Sequence, residues 1–393
     1  MQIPMSSPDL TDKERQAVLA VLNTPSLSMG HYIQDFEKAF CNLTGSKYAI
    51  GVSSGTTGLH LCVRAANIST GDLVITTPFS FVASSNVLLY ENAVPIFVDV
   101  NPRTGNIDPA LVREAVKDLK FGGKVSQKWL PRKGVSNNAY LKAILPVNVF
   151  GQPAELDKIN DIAQEYDLKV IEDSCESLGA EYKGKLAGTF GDYGVFAFYP
   201  NKQITTGEGG VIITNNEKAA SYMRALRNQG RSVGDTWLQH TYLGYNYRLD
   251  EMSAALGVIQ MSRFYELMKK RDQVAAWYGE RLGDIQGVEI PIVEPSTTRM
   301  SWFVYVIRLD PTINRDMLIK QLAACGIPAR PYFTSIHLQP YMIERFGYQV
   351  GDFPVTEDLS RRGIALPFSG VMSEEQVEYV CKNIYYNIYP RKK

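Results

Sequence analysis

The sequence predicts an α/β protein, a mostly parallel sheet covered by helices on both faces, followed by a smaller α+β unit. Three observations carry this. Short apolar strands alternate with amphipathic helices from Tyr48 to Glu172, the rhythm of parallel sheets with two covered faces. The 393 residues exceed what one core accommodates and suit two. The 45% apolar and 21% charged shares are those of an ordinary folded chain, neither disordered nor fibrous.

Taken in order, Thr11-Asp12-Lys13-Glu14 is a capping-box pattern that opens a helix through Asn23. A second helix is expected over Tyr32–Leu43, stopping at Gly45. The alternation then begins: strand Tyr48–Val52, helix from Thr57, strand Leu73–Thr76, helix from Ser80, strand Pro95–Val98, helix from Asp108. It resumes with strand Ala143–Val149, helix Leu156–Tyr166 and strand Lys169–Glu172. Strands Val195–Phe198 and Val211–Thr214 flank a Gly-rich turn, and a long helical run follows Asp250 and breaks near Gly283. The smaller unit reads as strand Trp302–Arg308, helix Arg315–Cys325, strand Ala329–Phe333 and helix Glu374–Tyr386. The division is expected between 1–248 and 249–393. Residues 119–140 break the rhythm; they are polar and basic, and read as a solvated excursion, or else as one whose Trp129 covers a partner surface or a substrate phosphate.

Charge and composition narrow the function. Forty-one Lys and Arg balance forty-one Asp and Glu, so no global field gathers nucleic acid or an anionic membrane. No stretch approaches the roughly 18 apolar residues of a membrane helix, and Met1–Leu10 lacks the basic and apolar regions of a secretory leader. A cytoplasmic protein is therefore expected. The five cysteines are scattered without a C-x-x-C pair, and the four histidines lack ligand spacing. Neither a disulfide framework nor a metal site is indicated.

In parallel sheets ligands sit beyond the carboxyl ends of the strands, and four segments fall there. Lys202, just past a strand and before Thr206-Gly207-Glu208-Gly209-Gly210, suits an amine nucleophile toward aldehydes when held near apolar walls. Glu172-Asp173-Ser174-Cys175-Glu176 puts carboxylates at a strand end; such a group keeps a pyridine nitrogen protonated, although alone it reads as a helix cap. Ser53-Ser54-Gly55-Thr56-Thr57-Gly58 joins strand to helix as a phosphate cradle, or as simple capping. Phe81 follows another strand, where a ring can stack on a planar cofactor or fill the core. Together the four meet the needs of pyridoxal phosphate.

These motifs resemble the DegT/DnrJ/EryC1/StrS family of pyridoxal-phosphate sugar aminotransferases, of fold type I, over nearly the whole chain. "FAFYPNKQITTGEGG" is similar to that family's lysine signature, and "GYNYRLDEMSAALG" to a second motif. The resemblance implies a three-layer large domain. It implies that Lys202 carries the cofactor as an internal aldimine and moves the proton between cofactor and substrate carbons. It implies that Asp173 pairs with the pyridinium nitrogen and that Glu176, often Gln in the family, lies near the ring hydroxyl. Gly55, Thr56 and Thr57 match the phosphate turn and Phe81 the stacking ring. Asn246 would reach the phosphate of a neighbouring subunit's cofactor, implying a homodimer with shared sites. Tyr199, Arg330 and His337 fall where the family meets the nucleotide sugar. Two residues depart from the pattern: Ala197 replaces a usual Ser, and Tyr199 a usual His. The implied reaction moves an amino group from L-glutamate to a nucleotide-linked keto-sugar, with "TTGEGG" resembling members that aminate C4 of a 4-keto-6-deoxyhexose. The alternatives are amination at C3 or of a cyclitol, or a non-catalytic relative.

Overall fold

The computed structural model describes residues 1–136 and 139–389; positions 137 and 138 of the expected excursion lie outside these. The chain opens with α1 (Asp12–Leu22) and α2 (His31–Thr44). The Thr11 hydroxyl caps α1 while Glu14 reaches back to the Thr11 N–H, the reciprocal box the sequence predicts. Gly45 ends α2 in the left-handed region at φ 70°. Then come β1 (Tyr48–Val52), α3 (Gly55–Ala65), β2 (Leu73–Thr76), α4 (Ala83–Tyr90), β3 (Val94–Phe97) and α5 (Pro109–Phe121). They are followed by β4 (Leu141–Ile144), α6 (Leu156–Glu165) and β5 (Lys169–Asp173). A hairpin of β6 (Glu181–Tyr182) and β7 (Lys185–Leu186) precedes β8 (Tyr193–Ala197), β9 (Gly210–Thr214) and α7 (Glu217–Arg227).

Seven of these strands form one sheet in the order β1-β9-β8-β5-β4-β2-β3. All pairs are parallel except those of β9, which runs against both β1 and β8. Alternate residues feed separate cores on the two faces: Val74 joins Val52, Leu59 and Ile171, whereas Ile75 joins Ile96, Ile144 and Val170. Burial on both faces is why these strands read as unbroken apolar runs.

The second half contains α8 (Glu251–Ser262), α9 (Phe264–Leu282), β10 (Val288–Glu289), β11 (Thr297–Arg299), β12 (Tyr305–Leu309) and α10 (Arg315–Ala324). It ends with β13 (Arg330–Pro331), α11 (Pro340–Phe346), α12 (Pro354–Arg362), β14 (Gly363–Leu366) and α13 (Glu374–Ile388). An antiparallel sheet runs β10-β12-β14-β13, and β11 joins the β6–β7 hairpin. β13 is shorter than the expected Ala329–Phe333; Pro331 lacks an N–H, and the strand sits at the sheet's edge, where proline is tolerated. Helix α9 belongs to two cores. Phe264, Leu267 and Met268 pack with Phe36 and Phe198, while Val274, Tyr278 and Leu282 pack with Tyr305 and Ile364. Ile3 enters the latter core too, and its N–H donates to the Gly326 carbonyl at 3.1 Å.

The excursion is anchored rather than solvated throughout. Trp129, Leu130 and Val135 pack against the core that holds Ile96, Val116 and Phe346, and the Trp129 indole donates to Asp118 at 2.9 Å. Trp129 is thus spent on this chain's own core, and Arg132 grips Asp352 with two bonds of 2.6 and 2.7 Å. Among the described residues no helix is long and apolar enough to cross a membrane.

Candidate active site

The carboxyl ends of β1, β2, β5 and β8 share one edge of the large sheet, and the reversed β9 begins there. A cavity of about 510 Å³ opens at this edge, roofed by the smaller unit. Of the expected residues, Gly55, Thr56, Phe81, Asp173, Glu176, Tyr199 and Lys202 line it.

Lys202 lies just past β8, with its side chain 13% exposed. Its Nζ is 3.9 Å from Glu176 Oε1 and 3.7 Å from the centre of the Phe303 ring, a carboxylate and a π-face that both attract the ammonium form. The backbone beneath it is clamped. Arg271 of α9 donates to the carbonyls of Asn201 and Lys202 on one side and of Trp302 and Phe303 on the other. Burial pulls this guanidinium down to about 10, so it stays charged at neutral pH. Gln203 Nε2 donates to the Glu176 carbonyl at 2.7 Å and to Ser301 Oγ at 2.8 Å. Burial pushes the Glu176 carboxyl up to about 7, against the opposing pull of Lys202 and of the Phe150 N–H.

Asp173 ends β5 and presents a prepared carboxylate. The buried Ser84 hydroxyl of α4 donates to Oδ2 at 2.6 Å, and the Cys175 N–H donates to Oδ1 at 3.1 Å. Chain beyond Asp173 continues in turns to β6, so the helix-cap reading of this segment does not hold. Neighbouring Glu172 is a structural residue: its carboxylate takes the N–H groups of Gly188, Phe190 and Gly191 at 2.7, 2.6 and 2.6 Å.

Ser54, not a later hydroxyl, caps α3, which is why the helix starts at Gly55 instead of Thr57. The first N–H groups of a helix have no partner within it, so those of Gly55 and Thr56 remain to meet an anion. Thr57 lies outside the cavity lining: its N–H and hydroxyl both bond Ser54, at 3.1 and 2.8 Å, and it borders the adjoining surface beside His60 and Tyr247. A Cβ added to Gly55 would sit 2.7 Å from Ala197 Cβ and 2.8 Å from Cys175 Sγ. Gly55→Ala is therefore expected to cost about 1–3 kcal/mol of stability by overpacking, read as a lowered midpoint in urea unfolding. Displacement of the helix start should also weaken phosphate binding.

Three expected residues lie elsewhere. Asn246 is exposed and bridges backbone with Asn228 outside the cavity wall. Arg330 is exposed on β13. His337 is fully buried, its Nε2 3.1 Å from Glu357 Oε1 and its ring against Phe353, away from the cavity wall. Ser84, Phe303 and Tyr332 were not expected. They arrive from distant elements with no motif of their own. Phe81 and Tyr199, 61% and 54% exposed, stand free at the mouth rather than in the core.

The donor set fits pyridoxal phosphate: an amine on the wall, an anion for a ring nitrogen, a helix start for a phosphate and a free ring. The model of the DegT/DnrJ/EryC1/StrS aminotransferase family matches residues 8–385. A GDP-perosamine synthase of Caulobacter vibrioides is 35% identical over 96% of both chains, and one of Escherichia coli O157:H7 is 34% identical over 97% of both. Among solved structures, S. venezuelae DesV with a ketimine intermediate superposes at TM-score 0.87, with 26% identity over 100% of both chains. Helicobacter pylori PseC, an aminotransferase of pseudoaminic acid biosynthesis, does so at 0.86, with 27% identity over 98% of both. The sheet with its one reversed strand has the fold type I aminotransferase architecture. The chain belongs to the DegT/DnrJ/EryC1/StrS aminotransferase family, and its cofactor is pyridoxal phosphate.

Proposed function

We propose that the enzyme moves an amino group from L-glutamate to a nucleotide-linked keto-sugar, at C4 of a 4-keto-6-deoxyhexose. The observation that carries the aminotransferase reading is the Lys202 amine on the cavity wall, beside Glu176 and across from the Asp173 carboxylate. The GDP in the names of the relatives favours a nucleoside diphosphate as the sugar's carrier. The "TTGEGG" turn after Lys202 favours C4.

When bound, pyridoxal phosphate supplies an electron sink for the carbon that loses its proton. Lys202 Nζ takes a proton at one carbon and returns it at another. The Asp173 carboxylate, steadied by Ser84, holds a proton on the ring nitrogen. The free N–H groups at the start of α3 bind the phosphate, and Phe81 covers the ring. Phe303 and Tyr332 close the cavity from the smaller unit and exclude water.

A homodimer with shared sites fits the surface. Val233, Trp237, Leu238 and Leu243 are all at least 68% exposed on the segment that leads to Asn246, and clustered exposed apolar groups mark association surfaces. This segment would bring Asn246 to the neighbouring subunit's phosphate.

L-Glutamate added to the loaded enzyme is expected to abolish the yellow absorbance and release 2-oxoglutarate. The aminated enzyme should then react with 4-keto-6-deoxy sugar nucleotides in preference to 3-keto ones. An unchanged spectrum without 2-oxoglutarate overturns the reading; preference for a 3-keto sugar or a cyclitol overturns only the C4 assignment.

A further inference from the structure

The cavity places a second titratable group beside the amine. Glu176 is buried, and its orientation is set by its neighbours. The Phe150 N–H occupies Oε2 at 2.9 Å, while Gln203 holds the residue's carbonyl. Oε1 is the oxygen turned toward Lys202 Nζ, 3.9 Å away, and a small side-chain rotation brings the two within hydrogen-bonding range, roughly 2.8 Å. Glu176 is thus a group beside the amine that can accept a proton.

We propose that Glu176 is a catalytic proton acceptor for Lys202: a proton passes from Nζ to Oε1 and later returns. The N–H bond breaks with its electron pair left on nitrogen, and an O–H bond forms on the carboxyl. The exchange resets the amine between its two tasks without opening the cavity to water. The proposal rests on the aminotransferase reading and extends it to the group that deprotonates the lysine.

The surroundings bring the two protonation states close in energy. Burial disfavours the carboxylate, and Asp173 opposes a second negative charge. Lys202 and the Phe150 N–H favour the carboxylate. The buried Cys175 thiol and the Tyr332 hydroxyl, both pushed up by burial, stay protonated and add no charge. With the carboxyl titrating at about 7, it accepts a proton readily above that pH and is already filled below it.

The test compares the parent with Glu176→Gln, which keeps the shape and the Phe150 bond but cannot take a proton. In the parent, the single-turnover rate with L-glutamate should fall as pH drops through about 7. In Glu176→Gln the rate at pH 8 should be about 100-fold lower and level between pH 6 and 8. A second readout needs no turnover. The full-length chain stripped of cofactor is treated with fluorodinitrobenzene across pH, and the labelled Lys202 peptide is quantified. Loss of the neighbouring carboxyl should raise the Lys202 labelling rate at pH 8 at least about threefold.

Equal labelling rates at pH 8, or a pH limb retained in Glu176→Gln, overturn the proposal. Should Glu176→Gln lose cooperative unfolding, Glu176→Asp carries the test: a shorter acid should keep the limb at a reduced rate, and loss of the limb there overturns it. A parent inert toward glutamate whose Lys202 labelling rate still depends on Glu176 would instead remove the aminotransferase reading and leave the coupling intact.

Discussion

Lys202→Ala is expected to reduce turnover at least about 10⁴-fold, more than any other single change in this chain. Two proposed roles would vanish together: the amine that anchors the cofactor and the base that moves its proton. Among the described residues no other amine lines the cavity; its remaining polar side chains are hydroxyls, a thiol, an amide and carboxylates. The fold should survive, because the clamp by Arg271 acts on backbone carbonyls and not on the lysine side chain. Single-turnover kinetics with L-glutamate, alongside an unfolding curve within about 1 kcal/mol of the parent, checks this. Borohydride reduction of the parent should label the peptide bearing Asn201-Lys202-Gln203; a label elsewhere would displace the assignment.

Asp173→Asn ranks second, slowing the half-reaction by on the order of 10²–10³-fold. The amide is nearly isosteric and its oxygen still accepts the Cys175 N–H, so packing is preserved. What disappears is the negative charge proposed to face the ring nitrogen. Ser84→Ala should follow in the same direction with a smaller effect, since it releases one oxygen of the carboxylate without neutralising it. Measuring both variants by single turnover and by cofactor retention on gel filtration separates lost charge from lost positioning. An Asp173→Asn enzyme as fast as the parent would remove this residue from the chemistry.

The large sheet was legible because its strands are buried on both sides: Leu73-Val74-Ile75-Thr76 is wholly buried, and its bounds match the expectation. Helix starts moved by two or three residues wherever several hydroxyls compete to cap, as among Ser53, Ser54, Thr56 and Thr57. β14 was missed because Gly363–Leu366 follows α12 directly and is a strand of only four residues. The site divides in the same way. Lys202, Asp173 and the α3 turn follow strand ends and could be read in place. Ser84 touches Asp173 across 89 residues of chain, and Phe303 and Tyr332 descend from the smaller unit; only folding brings them together. The surroundings of His337 were not legible, because a motif position does not tell whether a ring faces inward; here it packs on Phe353 and meets Glu357.

The guanidinium of Arg271 has one further consequence. By holding four carbonyls from two separated stretches, it makes the loop under Lys202 and the entry to β12 a single mechanical piece with α9. Fraying of that loop alone would strand a buried cation without its acceptors, a cost of several kcal/mol. The seat of the reactive amine therefore opens only when the long helix lets go, and its rigidity is inherited from the middle of the protein rather than supplied at the surface.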